Sequence, residues 1–158
     1  MDNQRTTDRE IVFLFNQSSA LTEQELYQLA ENSYPNGSPW SVEIYKSELT
    51  GTYNEYGIAL HKNKKIGFIG YTQLFDEAEI TTFGILTPFK NQGIGQLFLR
   101  SFIEYLKAKK IKKLFLEVRE QNKAAITVYK KLGFETIAVR KNYYHGPVDH
   151  ALIMQLSI

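Results

Sequence analysis

The sequence contains no cysteine, which removes disulfides, thiolate metal sites and a cysteine nucleophile together and suits a reducing compartment. Any chemistry falls to oxygen and nitrogen groups. No stretch reaches the roughly 18 consecutive apolar residues of a membrane-spanning helix, and no unit repeats at a period of about 20 to 50 residues. Charge of one sign is also scarce: 19 Lys and Arg against 17 Asp and Glu leave a net +2, too little for bulk attraction to a polyanion. Direct nucleic-acid binding is therefore not expected. His61, His145 and His150 show no metal-ligand spacing, and no metal is expected. What is present is ample apolar material: 43% hydrophobic residues with 10 Tyr and 10 Phe among 158 positions, enough for one folded domain. Residues 1–10 are polar and lack the apolar stretch of a secretory signal. They read as a tail ahead of a single domain over 11–158, and the whole as a cytoplasmic protein without membrane attachment, a monomer or weak dimer.

Ile11 to Phe15 is a short β-branched and apolar run that predicts a first strand. Thr22 stands ahead of Glu23 and of Leu26, Leu29 and Ala30 at helical spacing, which predicts a capped helix. Asn36-Gly37 and Pro39 mark a loop, and Trp40 to Leu49 predicts a second helix with Ser41 as its cap. From Tyr53 to Phe83 the period shortens from about 3.6 to about 2. Tyr56, Ile58 and Leu60, then Ile66 to Leu74, then Ala78 to Ile85, with turns at Asn63 and Asp76-Glu77, predict an antiparallel meander.

The second half alternates: a helix over Gly93 to Lys109, a strand over Lys113 to Val118, a helix over Asn122 to Leu132, then strands over Phe134 to Asn142 and Ala151 to Leu156. Helices between strands predict a mixed α/β sheet with a crossover. In the first of those helices Ile94, Phe98 and Phe102, with Leu99, Ile103 and Leu106, form a stripe that reads as core. The lysines at 107, 109, 110, 112 and 113 follow at its C-terminal end, where cations suit the helix dipole, and read as a solvated face.

Phe83-Gly84-Ile85-Leu86-Thr87-Pro88-Phe89-Lys90-Asn91-Gln92-Gly93-Ile94-Gly95-Gln96 runs strand, turn, glycine loop, helix. Glycines at a helix mouth let backbone N–H groups approach an anion, and the dipole adds positive potential there. They equally ease a sharp turn between strand and helix. A P-loop would need Gly-Lys-Ser/Thr, yet Gly95 precedes Gln96 and Leu97; a dinucleotide fingerprint would need a small residue where Phe98 stands.

Lys90-Asn91-Gln92-Gly93-Ile94-Gly95 resembles the Gln/Arg-x-x-Gly-x-Gly/Ala signature of the GNAT acetyltransferase superfamily, with Lys90 in place of the usual Gln or Arg. The likeness runs from about Ile11 to Leu156. It extends to the RimI type, the ribosomal-protein-alanine N-acetyltransferases, through Pro39-Trp40-Ser41, Leu116-Glu117-Val118-Arg119, Asn122, Ala124-Ala125-Ile126, Tyr129, Leu132-Gly133-Phe134 and Arg140-Lys141-Asn142-Tyr143-Tyr144.

That resemblance implies a mostly antiparallel sheet of six to seven strands flanked by about four helices, with central strands splayed to hold acetyl-CoA. It implies a pantetheine cradle along Phe83, Gly84 and Ile85, with the Ile85 amide on the thioester carbonyl. Pyrophosphate contacts fall to the amides of Asn91, Gln92, Gly93, Ile94, Gly95 and Gln96, and a further coenzyme contact to Asn122. Asn122 also reads as a helix cap.

Glu117 is the candidate base: an acid between Leu116 and Val118 would be partly desolvated, and an ammonium must lose a proton before it attacks. The family match assigns the acid to Tyr129, while Trp40, Tyr143 and Tyr144 would line the acceptor cleft. The implied acceptor is the N-terminal amine of a ribosomal protein. A small-molecule amine, or a non-catalytic acetyl-CoA-binding module, are the alternatives.

Overall fold

Glu25 explains where the first helix begins. The Thr22 hydroxyl accepts from the Glu25 amide while the Glu25 carboxylate takes the Thr22 amide, both at 3.1 Å, a capping box that starts α1 (Glu23–Glu31). Ser41 caps α2 (Val42–Thr50) by accepting from the Ile44 amide. The computed structural model describes residues 10–158; the expected polar tail falls almost wholly on 1–9 and so lies outside the described residues.

Strand β1 (Ile11–Leu14) precedes α1, and the predicted meander follows α2 as β2 (Asn54–His61), β3 (Lys64–Leu74) and β4 (Glu77–Ile85). Lys62 and Asn63, both at positive φ, make the tight β2–β3 turn. Then come α3 (Ile94–Ala108), β5 (Lys113–Arg119), α4 (Lys123–Lys131), β6 (Glu135–His145) and β7 (Val148–Ser157), with short 3-10 turns at Ser18–Ala20 and Thr87–Phe89. The last hairpin is longer than its sequence predicts. Tyr144 pairs with Asp149 and His145 with Val148, closing the strands over Gly146-Pro147, so Tyr143 and Tyr144 are strand residues. No apolar alternation marks 143–150; the pairing itself extends the strands.

The strands form one sheet in the order β1-β2-β3-β4-β5-β7-β6. Its β4–β5 pair is parallel, and every other pair is antiparallel. This is the mixed, mostly antiparallel α/β architecture the sequence implies.

Each face carries its own core. Ile94, Phe98, Phe102 and Leu106 of α3 pack with Ile69, Leu114, Leu116 and Met154 on one face. Leu26 and Leu29 of α1 and Tyr45 of α2 pack with Tyr56, Ile58 and Phe68 on the other. Burial of each Phe in α3 stabilises the fold by roughly 1.5–3 kcal/mol.

The parallel pairing is brief. β4 and β5 are in register only at Glu77–Lys113, Ala78–Leu114 and Glu79–Phe115. Beyond that, β4 continues against β3 as far as Ile85, while β5 continues against β7 as far as Arg119. The two strands diverge into a wedge.

Candidate active site

Immediately after β4 the amide of Leu86 donates to the Ile66 carbonyl at 2.8 Å. Backbone groups alternate sides along a strand, so the Phe83 and Ile85 amides turn toward the wedge. That is the orientation needed to meet an extended ligand as an added strand. One of these donors has a partner within the chain: the Phe83 amide donates to Tyr34 Oη at 3.1 Å, and that hydroxyl also bonds Thr82 Oγ1 at 2.8 Å. Gly84 is fixed by close packing, since a Cβ there would stand 2.8 Å from the Phe68 ring and 2.9 Å from Ser33 Cβ.

The glycine loop is tied to the end of α1. Thr87 donates to the Asn32 carbonyl through both its amide and its hydroxyl, and Lys90 Nζ donates to the Ser33 carbonyl. Lys90 thus serves as a loop anchor. Gly93, at φ 81, is the N-cap of α3 and offers no side-chain cap; the first helical bond runs from Leu97 N–H to the Gly93 carbonyl at 3.1 Å. The amides of Ile94, Gly95 and Gln96 are left for a partner outside the helix, pointing where the dipole favours an anion. Gly95 adds a second indication. A Cβ there would meet the Phe83 ring at 3.7 Å, an ordinary contact, so the chain's own packing does not require glycine. Close approach of a ligand would.

Glu117 lies in β5 beyond the last β4–β5 pair. Its surroundings differ from the sequence expectation: Leu116 and Val118 alternate to the opposite face and join the α3 core, so they do not desolvate it. The Glu117 carboxylate instead meets Arg140 on β6, Oε2 to Nε 3.5 Å, with its side chain 24% exposed. Glu79, at the last paired position of β4, has its carboxyl raised by burial and by the neighbouring Glu117, against a lowering by Arg140. Burial, then Glu117, raises the Tyr144 hydroxyl too.

Tyr129 sits on α4, its ring 5.7 Å from that of Phe134. Burial pushes its hydroxyl well above the ordinary tyrosine range, with smaller contributions from Tyr34 and Tyr144. Tyr129 packs against the α3 core and Tyr34 against the α1–α2 core, so this hydroxyl feels groups from both faces of the sheet.

Tyr143 and Tyr144 stand edge to face at 5.2 Å, with Arg140 over the first ring at 5.3 Å and Arg119 over the second at 4.2 Å. Arg119 also donates to the Pro147 and Gly146 carbonyls, fixing the hairpin beside the wedge. Trp40 is held elsewhere, tilted on Tyr45 at 5.3 Å in the α1–α2 core. Asn122 caps α4 through the Ala125 amide. Asp149, buried, accepts from the Gln121 and His150 amides and so joins β7 to the start of α4.

Sequence reasoning gave no role to Tyr34, Glu79, Arg119 or Arg140. Glu79 carried a signal, as a polar residue on the strand that leads into Phe83–Ile85. Tyr34 carried none, because its partner is 49 positions away. Among the described residues no group of three or more His, Cys, Asp or Glu could hold a metal ion, and no helix is long and apolar enough to cross a membrane.

A β4–β5 pair that parts after three residues, a glycine-led helix start without a side-chain cap, Glu117 on β5 and Tyr129 on α4 make up the candidate site. Residues 23–134 match the acetyltransferase (GNAT) family, and the chain belongs to it: it is an N-acetyltransferase. Among its relatives is the ribosomal protein bS18-alanine N-acetyltransferase of Haemophilus influenzae, 33% identical over 144 residues, 89% of this chain and 96% of that protein. The Escherichia coli K12 enzyme of the same name is 35% identical over 124 residues, 76% of this chain and 82% of that one. The crystal structure of the ribosomal-protein-S18-alanine N-acetyltransferase from Escherichia coli superposes with a TM-score of 0.84 at 26% identity, covering 94% of each chain. A GNAT family acetyltransferase from Elizabethkingia anophelis with acetyl-CoA bound shares the fold, with a TM-score of 0.76 at 22% identity, covering 94% of this chain and 98% of that one.

Proposed function

We propose that this enzyme moves the acetyl group of acetyl-CoA to the N-terminal α-amine of a ribosomal protein, at an alanine. The observation that carries the reading is the wedge itself, with donors along one wall and at the α3 N-terminus, and Glu117 on β5 just beyond the last β4–β5 pair. The resident groups fit acetyl-CoA: outward amides at Ile94, Gly95 and Gln96 suit a pyrophosphate, and the outward edge of β4 suits the amides of a pantetheine arm.

The Ile85 N–H would hold the thioester carbonyl and stabilise the charge that develops there during attack. Glu117 would take a proton from the acceptor ammonium, directly or through one water. The neutral amine forms the new C–N bond as the C–S bond breaks, and Tyr129, kept protonated by burial, gives its proton to the departing thiolate. Tyr143 and Tyr144 would flank the acceptor, while Trp40 would act only through the α1–α2 core in which it packs. Asn122 would contribute at the coenzyme side. The acceptor implies a cytoplasmic enzyme with a protein partner, and the mechanism uses no metal.

The test is thiol release from acetyl-CoA with a peptide beginning in alanine, beside the same peptide blocked at its N-terminus. Release with the free peptide alone is expected. Faster turnover of a small amine than of any peptide would overturn the assignment of the acceptor.

A further inference from the structure

Arg140 stands where a mechanism built on Glu117 does not expect it. Its Nε is 3.5 Å from Glu117 Oε2, the position an acceptor ammonium must approach to hand over its proton. The side chain is 55% exposed and faces other partners: the Tyr143 ring at 5.3 Å and, through its charge, the Glu79 carboxylate.

β6 is also irregular at this point. Its register against β7 shifts between Arg140 and Tyr144, Asn142 adopts φ 53, and the Asn142 amide leaves the ladder to donate to His150 Nδ1 at 2.9 Å. The edge strand therefore carries Arg140 at its last regular pair, with Ala151, immediately before a bulge. An ion pair at 3.5 Å whose cation is 55% exposed is weak enough for a second cation to displace.

We propose that Arg140 is a positioning residue that holds Glu117 in place of the acceptor amine and is exchanged for that amine, moving toward Glu79 and the Tyr143 ring when acceptor binds. The inference rests on the reading of Glu117 as the base. One positive charge then serves two carboxylates in turn. It holds the Glu117 carboxylate in place while the site is empty of acceptor, and it compensates Glu79 once the acceptor has taken its place. The charged and titratable groups that act on Glu117 are Arg140 from β6, by ion pair, and Glu79 from β4 and Tyr144 from β6, through charge; Arg119 follows two residues on along its own strand, and Tyr143 touches Arg140. Arg140 is the cation paired with it.

The experiment compares wild type, Arg140→Gln and Arg140→Lys with one peptide acceptor across pH, so that the acceptor's own titration is common to all. Arg140→Gln should lower the acceptor KM by about two- to fivefold, the equivalent of an exposed ion pair. It should also move the acid limb of kcat/KM to higher pH by up to about one unit, since the carboxylate loses its positive neighbour and keeps Glu79. Arg140→Lys should restore both. A readout independent of turnover is the Arg140 Nε–H resonance of the wild-type enzyme, which should shift when peptide is added to the enzyme–CoA complex. An unmoved acceptor KM and pH limb in Arg140→Gln, or an unmoved resonance on saturation with peptide, overturns the exchange. A wild-type enzyme that acetylates no peptide refutes the acceptor assignment instead.

Discussion

Tyr34 and Phe83 tie the α1–α2 loop to β4: the Tyr34 hydroxyl accepts the Phe83 amide at 3.1 Å and bonds Thr82 Oγ1 at 2.8 Å. A donor that faces away from β3 is thereby satisfied by a side chain from the opposite element. Tyr34→Phe keeps the ring and removes both bonds. It should cost about 1–2 kcal/mol, because the Thr82 hydroxyl is buried and loses a partner. The denaturation midpoint should fall at unchanged slope; a midpoint within error of wild type would show that water replaces the phenol without loss.

Glu117→Gln and Tyr129→Phe separate proton transfer from binding. Each should lower kcat by about 10²–10⁴ and leave acetyl-CoA affinity close to wild type, since neither side chain belongs to the amide cradle. Single-turnover thiol release alongside equilibrium titration of acetyl-CoA reads both. An affinity loss matching the rate loss would move these residues from chemistry to binding.

Gly93 and Gly95, two residues apart at the start of α3, should respond in opposite ways. Gly93→Ala forces a side chain into φ 81 and should destabilise the free enzyme by about 1–2 kcal/mol. Gly95→Ala finds ordinary space beside Phe83 and should leave the free enzyme as stable or up to about 1 kcal/mol more so, while weakening acetyl-CoA binding. Thermal melting with and without acetyl-CoA is the measurement. Undiminished ligand stabilisation in Gly95→Ala would remove that residue from the phosphate site.

The Glu79 carboxyl is raised by burial and by Glu117. A carboxyl raised on folding binds its proton more tightly in the native state, so its contribution favours folding at low pH and is lost as pH rises through the native value. Glu79→Gln removes that repulsion. It should be more stable than wild type at pH 7, and the advantage should vanish on acidification below about pH 4. Urea midpoints at the two pH values decide it; an equal difference at both would mean that packing, not charge, sets the effect.

The elements visible in advance were those with local causes. Thr22, Ser41 and Asn122 are helix caps by residue type and position, and the α3 stripe from Ile94 to Leu106 is core by spacing. The glycine loop could be read for the same reason. What could not be read was set by pairing between distant segments. The partner of Glu117 depends on β6 lying outside β7, and the apolar neighbours that suggested desolvation turn to the other face. The hairpin through Tyr143 and Tyr144 has no apolar alternation; its strands are held by register and by Arg119.

The three-pair contact between β4 and β5 also divides the route by which the chain folds. β2, β3 and β4 are neighbours in sequence and can zip together as hairpins, and β6 and β7 can do the same with β5 alongside. Joining the groups requires the loop from Ile85 to Lys113 to close around α3 with little strand pairing in return, and such non-local closure is slow because its entropy must be met before its contacts form. The β4–β5 wedge is therefore expected to be the last boundary to close during folding.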